Sequence, residues 1–207
     1  MKLGELPFGS NIKIPERQED DSYKLADYTL GFFGVGVAAL IRKDIHSLCR
    51  FGDSTEYAGS DLDKRMTEIY NSYPDEFKKL IIPCTIPLYN GSGAEDITRK
   101  VFAPSLTMVG GGGNEGVDEG FTWPIFTGRN SRKKTFDGSS ADWWLSSRYS
   151  SGSAWGVYTD GSANNFSNPS STNGVVPAFI IPQSVQIDDA PDNDGSYRLT
   201  VLQGYCS

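Results

Sequence analysis

Two apolar segments enclose a long polar stretch, and this arrangement constrains the fold more than any other feature of the chain. The first segment is Trp143-Trp144-Leu145, and the second runs from Val175 to Ile181. Both must be buried, because exposing large apolar side chains to water is unfavourable. About two-thirds of residues 146–174 are Ser, Gly, Asn or Thr, so we predict a long loop region there. The predicted core anchors are Trp143, Trp144, Leu145, Pro177 and Phe179.

Four aromatic residues are spaced through the polar stretch, and they indicate a displayed binding surface. Rings provide contact area at low entropic cost, whereas Ser, Gly and Asn provide adaptable hydrogen bonds. A ring can equally pack the loop onto the domain, and Trp155 is the strongest candidate for that role. The candidate ligand contacts are the rings of Tyr149, Trp155, Tyr158 and Phe166 and the polar side chains of Asp160, Asn164, Asn165 and Asn168.

Length and charge limit the possible classes of protein. A chain of 207 residues indicates one domain, here 1–207, and a net charge of −7 disfavours nucleic acid as a partner. The basic cluster at 129–134 is expected to be a solvated loop. The longest apolar run, Leu30 to Ile41, is interrupted by glycines and is too short to span a bilayer. The N-terminus also lacks the apolar region of a signal peptide, so we expect no membrane insertion and no export signal.

Cofactor chemistry finds little support in the residue pattern. Cys49, Cys84 and Cys206 are far apart and odd in number, which disfavours a disulfide framework or a zinc site. The aspartates between Asp188 and Asp194 suggest calcium, but the ligand order of an EF-hand loop is absent. We expect no cofactor, and an irregular surface calcium site stays open as an alternative.

The residue types also disfavour catalysis. His46 is the only histidine and lies in no nucleophile motif, which limits His-based acid–base chemistry to one place. No GxSxG element occurs. A glycosidase needs two carboxylates, but those of this chain cluster in segments expected to be solvated loops, Glu16 to Asp21 and Asp188 to Asp194, rather than beside an aromatic cleft. We therefore expect a protein that is not an enzyme.

Periodicity predicts the helices and strands. A cap at Ser60 or Asp61 begins a helix, and a second short helix follows Pro74, so the helical stretch covers about 60–81. One face of the first helix is formed by Leu62, Met66, Ile69 and Tyr73.

Strand patterns flank this helical stretch. Residues 23–41 indicate successive strands that place Phe32, Phe33 and Val35 in the core, and residues 185–202 predict a C-terminal hairpin. The aromatic patch from Phe121 to Phe126 suits a contact between subunits.

The two apolar segments resemble the ends of an uncharacterised domain family of phages and Gram-positive and gut bacteria, whose members carry a WWLRSP element, a Ser/Asn/Gly/Tyr-rich insert and a VRPAL element. Further similarity covers LPFGSNIKI, SDLDKRMTEIYNSYPDEFKKLI, KVFAPSLTMVG and DAPDNDGSYRL. The chain departs from the pattern at Ser146 and Val176, where the family has arginine.

The resemblance implies an α+β, C-type-lectin-like fold with short twisted antiparallel strands, one or two helices and long irregular loops. That group includes formylglycine-generating enzymes and retroelement-diversified receptor-binding proteins of phages. The paired reactive cysteines of the former and the usual lectin calcium motifs have no counterpart here.

The functional expectation is a phage virion protein, a tail-tip or fibre-type adhesin that binds a host cell-surface glycan or protein through residues 146–174. One alternative is a capsid or tail decoration protein without a receptor, and a weaker one is a bacterial surface carbohydrate-binding protein. The expected partners are other virion proteins, the host ligand and further copies of the chain in a homo-oligomer. The expected location is the virion.

Overall fold

Strands make up most of the regular structure in the computed structural model, which describes residues 1–166 and 168–205. The chain is 40% strand and 13% helical. The strands are Asn11–Arg17 (β1), Tyr23–Phe33 (β2), Val37–Arg42 (β3), Ser47–Arg50 (β4), Cys84–Tyr89 (β5), Ala94–Arg99 (β6), Val101–Phe102 (β7), Thr135–Phe136 (β8), Ser139–Ser140 (β9), Trp143–Ser150 (β10), Ser153–Val157 (β11), Ala163–Phe166 (β12), Thr172–Val175 (β13), Ala178–Pro182 (β14) and Tyr197–Arg198 (β15).

Two large sheets dominate the described residues. The six-stranded sheet has the order β15-β1-β2-β3-β14-β7, and the five-stranded sheet has the order β12-β11-β10-β13-β4. Pairing is antiparallel except for β1 with β15 and β10 with β13. Two hairpins, β5-β6 and β8-β9, form the remaining two sheets.

Two short connections between the large sheets lie next to each other. One joins β3 to β4, and the other joins β13 to β14. The two connections are bonded to each other, since the amide of Arg42 donates to the carbonyl of Pro177 at 2.9 Å and that of His46 donates to Val175 at 2.8 Å. This junction places the β3–β4 connection beside the first strands of the six-stranded sheet.

The aromatic side chains of the two apolar segments form much of the core. Trp143, Trp144, Leu145, Pro177 and Phe179 are all buried. The indole nitrogens still have partners, because Trp143 donates to the carbonyl of Arg132 and Trp144 to that of Cys49, each at 3.0 Å. Buried indoles need such acceptors to avoid an unpaired donor.

The helices are short. They are Asp61–Ser72 (α1), Asp75–Lys78 (α2) and Arg129–Arg132 (α3), with 3-10 turns at Leu3–Glu5 and Thr200–Leu202. Ser60 caps α1 by accepting a hydrogen bond from the Asp63 amide at 3.1 Å. The apolar face that periodicity predicts is buried at Leu62, Met66, Ile69 and Tyr73. None of these helices combines the length and the apolar character needed to cross a bilayer.

The prediction of an α+β, C-type-lectin-like fold is wrong, because the chain is mainly β-sheet. The stretch expected as a long loop region, Ser146–Gly174, contains the end of β10, all of β11 and β12 and most of β13. Glycine permits this pairing: a Cβ on Gly156 would lie 2.0 Å from the ring of Phe166. That ring packs over the strand onto Trp144 at a centroid distance of 5.0 Å.

Three smaller expectations also differ from the structure. Val35 lies fully exposed in the β2–β3 turn instead of in the core. The C-terminal hairpin expected in 185–202 is only partly regular strand: Ile187 and Leu199 form an antiparallel bridge, and the Asp188 amide donates to the Arg198 carbonyl at 3.1 Å, while β15 pairs in parallel with β1. In the aromatic patch, Phe121 is exposed but Trp123 is buried against Gly31. Cys206 lies outside the described residues.

Candidate ligand-binding cleft

A cleft of about 600 Å³ opens where the β3–β4 connection leaves the six-stranded sheet. Its walls come from β1, β2, the β3–β4 connection, α1 and the β8-β9 hairpin. Ligand pockets of proteins commonly have volumes of about 300–1,000 Å³ and a few converging polar groups. The cleft has this size, and its polar groups converge on the carboxylate of Glu16.

Glu16 is a buried acid held by three hydrogen bonds. The residue is 4% exposed. Its Oε1 accepts from the Tyr28 hydroxyl at 2.7 Å and from Arg42 Nε at 2.9 Å, and its Oε2 accepts from Arg42 Nη2 at 3.1 Å. The strand positions explain this burial, since Ile12, Ile14 and Glu16 alternate along β1 and are all buried.

Two buried tyrosines continue the hydrogen-bond chain away from Glu16. The hydroxyls of Tyr28 and Tyr73 lie 2.6 Å apart. Burial raises the pKa of both phenols well above the usual range, so both are protonated. Because a carboxylate only accepts, Tyr28 donates to Glu16 and Tyr73 donates to Tyr28.

Arg42 pairs with Glu16 and also fastens the β3–β4 connection. Its Nη1 donates to the carbonyls of Asp44 at 3.1 Å and Ile45 at 2.9 Å. The Arg42 side chain is 17% exposed and that of Glu16 is 6% exposed, so the ion pair is largely shielded from water. Burial disfavours the charge of Arg42, but the Glu16 carboxylate outweighs it and raises the pKa of the guanidinium.

His46 faces the same carboxylate across a gap. Its Nε2 lies 3.9 Å from Glu16 Oε2, which is too long for a hydrogen bond. On the other side of the ring, Nδ1 lies 3.0 Å from the hydroxyl of Ser47. Burial lowers the pKa of His46, so the imidazole is neutral at neutral pH.

Lys134 is a buried lysine that binds the backbone next to the cleft. Its Nζ donates to the carbonyls of Arg42 at 2.6 Å and Lys43 at 2.9 Å, and it lies 5.7 Å from the centre of the Trp143 ring. Burial lowers the pKa of this amine from its ordinary value to about 7. These contacts tie the segment between α3 and β8 to the end of β3. They hold in place the backbone that carries Arg42.

The rim of the cleft is charged but nearly balanced. Some of its charged groups already have partners: Arg65 forms an ion pair with Glu68 at 3.1 Å, and Asp44 accepts a hydrogen bond from the Thr135 hydroxyl at 2.7 Å. Phe136 adds a half-buried ring. The acids of the cleft are Glu16, Glu19, Asp44, Glu68 and Asp137, and its bases are Arg17, Lys24, Arg42 and Arg65. Such walls suit a polar ligand without a large net charge better than a multiply charged one.

The sequence-predicted ligand contacts lie on the strands of the five-stranded sheet or on the loops that join them, and none of them lines this cleft. Phe166 is 7% exposed and packs on Trp144 and Tyr158, so its ring belongs to the core. The hydroxyl of Tyr158 donates to the carbonyl of Asn165 at 3.3 Å. These contacts tie β12 to the sheet instead of presenting rings to a ligand.

The other predicted contacts are more accessible. Tyr149 is 39% exposed and meets the ring of Trp155 edge-on at 5.2 Å. Trp155 donates to Asn114 Oδ1 at 3.1 Å, which anchors it to the glycine-rich loop at residues 110–116. Asp160, Asn164 and Asn168 are exposed at the edge of the sheet, with Asp160 accepting hydrogen bonds from Ser162. Of the four predicted rings, Tyr149 and Trp155 therefore contact each other outside the core, whereas Tyr158 packs on the buried Phe166.

Sequence reasoning missed the cleft residues. Glu16 was expected in a solvated loop, but it is buried because the alternation of Ile12 and Ile14 extends to it. That period of two was the available signal. The pairing of Glu16 with Arg42 across 26 positions of sequence left no local signal, and His46 was identifiable only as the single histidine.

Among the described residues, no group of three or more His, Cys, Asp or Glu side chains is arranged to hold a metal ion. In the acidic segment near the C-terminus, Asp194 contacts Lys13 at 2.5 Å and Asp192 contacts Arg198 at 2.8 Å. These carboxylates are thus occupied by cations of the protein itself.

The fold and the cleft define a mainly β domain with a polar, ligand-sized site at the junction of its two large sheets. A family model described as a domain of unknown function (DUF6273) matches residues 36–183, and the chain belongs to that family. Arg42, His46 and Lys134 lie inside the matched segment, whereas Glu16 precedes it. Searches of curated proteins and of solved structures found no match.

Proposed function

We propose that the protein is a phage virion protein of the adhesin type, which attaches the particle to a ligand on the host cell surface through the cleft. The observation that carries the binding role is the cleft itself, with Glu16, Arg42 and His46 converging in a cavity of about 600 Å³. The phage setting rests on the sequence resemblance alone.

The chemistry of the cleft favours binding over catalysis. Ser47, His46 and Glu16 lie in a row that resembles a nucleophile, a base and an orienting acid. However, the acid is 3.9 Å from the imidazole, and its charge is balanced by Arg42 at 2.9 Å. A carboxylate committed in this way is poorly placed to stabilise an imidazolium, so the row is suited to holding a ligand.

Preorganisation supports a binding role as well. Arg42 is fixed by four hydrogen bonds to Glu16 and to backbone carbonyls, and Lys134 holds the strand end from behind. Side chains that are already ordered lose little conformational entropy when a ligand binds. Arg65 and Phe136 also line the cleft.

Binding to cells tests the proposal. Fluorescently labelled protein is applied to a panel of Gram-positive gut bacteria, and bound fluorescence is measured by flow cytometry. The variant Arg65→Ala/Phe136→Ala changes the cleft rim, and Tyr149→Ala is the matched control on the five-stranded sheet. We expect the cleft variant to lose binding and the control to retain it, with both variants melting cooperatively.

Two outcomes would contradict the proposal. Loss of binding in Tyr149→Ala but not in the cleft variant would move attachment to the five-stranded sheet. Absence of cell binding, together with regular coverage of the phage particle seen by electron microscopy, would instead support a decoration protein.

A further inference from the structure

We infer that the gap between Glu16 and His46 recognises a hydroxyl group of a neutral sugar, so that the cleft selects uncharged glycan units over anionic and cationic ones. This inference rests on the proposed function, since it names the ligand class of the same cleft. It follows from counting the hydrogen-bonding groups that remain free around the gap.

Arg42 has little capacity left for an anion. A guanidinium has five N–H groups. Four of them donate to Glu16 Oε1, Glu16 Oε2 and the carbonyls of Asp44 and Ile45. A carboxylate or phosphate is bound most strongly by two parallel N–H groups of one arginine, and only one N–H of Arg42 remains. An anionic ligand would also approach the Glu16 carboxylate directly.

Glu16 retains room for one more donor. Among the described residues, two donors bind its Oε1 and one donor, Arg42, binds its Oε2. The group that enters the gap must therefore donate to Oε2, because an ionised carboxylate has no proton to offer.

The gap has the dimensions of a single bridging oxygen. Glu16 Oε2 and His46 Nε2 are 3.9 Å apart. An oxygen about 2.8 Å from both atoms subtends an angle of about 90° between them, which is acceptable for a hydroxyl that donates to one atom and accepts from the other. This arrangement requires a proton on His46 Nε2. Such a tautomer is compatible with Nδ1 accepting from the Ser47 hydroxyl at 3.0 Å.

An ammonium group fits the gap less well. It donates only, so it would need Nε2 as an acceptor and a proton on Nδ1, and it would add a cation beside Arg42. The half-buried ring of Phe136 on the cleft wall suits the apolar face of a sugar ring. A neutral polyhydroxy ligand therefore matches more of the available groups than a charged one.

The single histidine provides a direct spectroscopic test. Protein labelled with ¹⁵N at histidine is titrated with methyl glycosides of glucose, galactose, mannose and N-acetylglucosamine, and the imidazole is followed by long-range ¹H–¹⁵N correlation spectra. Methyl glucuronide and methyl glucosaminide serve as the matched anionic and cationic sugars. We expect the Nε2–H tautomer, and a saturable shift with at least one neutral glycoside that is larger than with either charged sugar.

Variants tie the response to the gap. His46→Phe keeps a ring but removes Nε2, and we expect neutral glycosides to bind about tenfold more weakly to it, as measured by saturation-transfer NMR on the sugar. Tyr149→Ala lies outside the cleft and should bind like the wild type. Equal binding to His46→Phe and wild type would overturn the inference.

Other results would also overturn it: a dominant Nδ1–H tautomer, stronger binding of the anionic or cationic sugar, or no shift with any neutral glycoside, which would mean that the gap holds water only. Failure of this inference is separable from failure of the proposed function. Cell binding that needs the cleft but no glycoside response would refute only the ligand class. A glycoside response without cell binding would refute only attachment.

Discussion

Breaking the ion pair beneath the cleft should destabilise the whole domain. Glu16→Gln keeps the size of the side chain and one acceptor oxygen, but it leaves the charge of Arg42 without its counter-ion. The Arg42 side chain is only 17% exposed, so water compensates its charge poorly. Removing one partner of a buried pair typically costs about 3–5 kcal/mol.

This cost corresponds to a large change in melting temperature. For a domain of about 150–250 residues, each kcal/mol lowers Tm by roughly 2–4 °C, so the expected fall is roughly 6–20 °C. The assay is urea and thermal unfolding followed by tryptophan fluorescence and circular dichroism. The double variant Glu16→Gln/Arg42→Met should recover much of the loss, because it removes the unpaired charge as well.

An exposed pair close by in the sequence provides the control. Arg17 contacts Asp21 at 2.9 Å, and their side chains are 51% and 77% exposed. Asp21→Asn should cost less than about 1 kcal/mol, because exposed ion pairs contribute little and Asn tolerates the positive φ of 65° at this position. If Glu16→Gln were no more destabilising than Asp21→Asn, the buried-pair reasoning would be refuted.

Three further predictions concern residues outside this pair. Phe166→Ala should lower the free energy of unfolding in urea by about 3–5 kcal/mol, because the Phe166 ring is in the core. The exposed control Tyr149→Ala should lower it by less than about 1 kcal/mol. Equal losses in the two variants would show that Phe166 is not packed as described. Ser146→Ala should stabilise the fold by up to about 1 kcal/mol, because the buried Ser146 hydroxyl has no hydrogen-bond partner among the described residues. Ser146→Arg should lower Tm, because the larger side chain overpacks the same buried position. A destabilised Ser146→Ala variant would contradict this reasoning. Burial lowers the pKa of Lys134 from 10.5 to about 7, so between these pH values the unfolded chain binds this proton more readily than the folded chain does. The unfolding free energy of the wild type, minus that of Lys134→Met, should therefore rise between about pH 7 and about pH 10. A difference that stays flat over this range would count against a depressed pKa.

Local patterns in the sequence were sufficient for the features that depend on near neighbours. The helix at Asp61–Ser72 follows from an apolar period of 3.6 and from the Ser60 cap, both of which act within one or two turns. The burial of Trp143 and Trp144 follows from their size alone, whatever they pack against.

Composition misled where small residues are buried. Composition predicts that Gly156 and Gly174 belong to a flexible surface loop. In the structure, neighbouring side chains occupy the space that a Cβ atom at either position would need. Ser147 is buried because its hydroxyl donates to the carboxylate of Glu119 and accepts from the Leu106 amide at 2.7 Å. Small residues thus mark close packing of strands here, and the predicted loop became sheet.

The two apolar segments around residues 146–174, and the helix that follows Ser60, were determined by the sequence itself, because hydrophobic burial and helical periodicity are written in consecutive residues. The cleft was decided only by the tertiary structure. Glu16 meets Tyr28, Arg42 and His46 because β1, β2 and the β3–β4 connection come together, and Tyr73 joins them from the end of α1. Hydrogen bonds between residues so far apart in sequence depend on strand order and register, which no local pattern specifies.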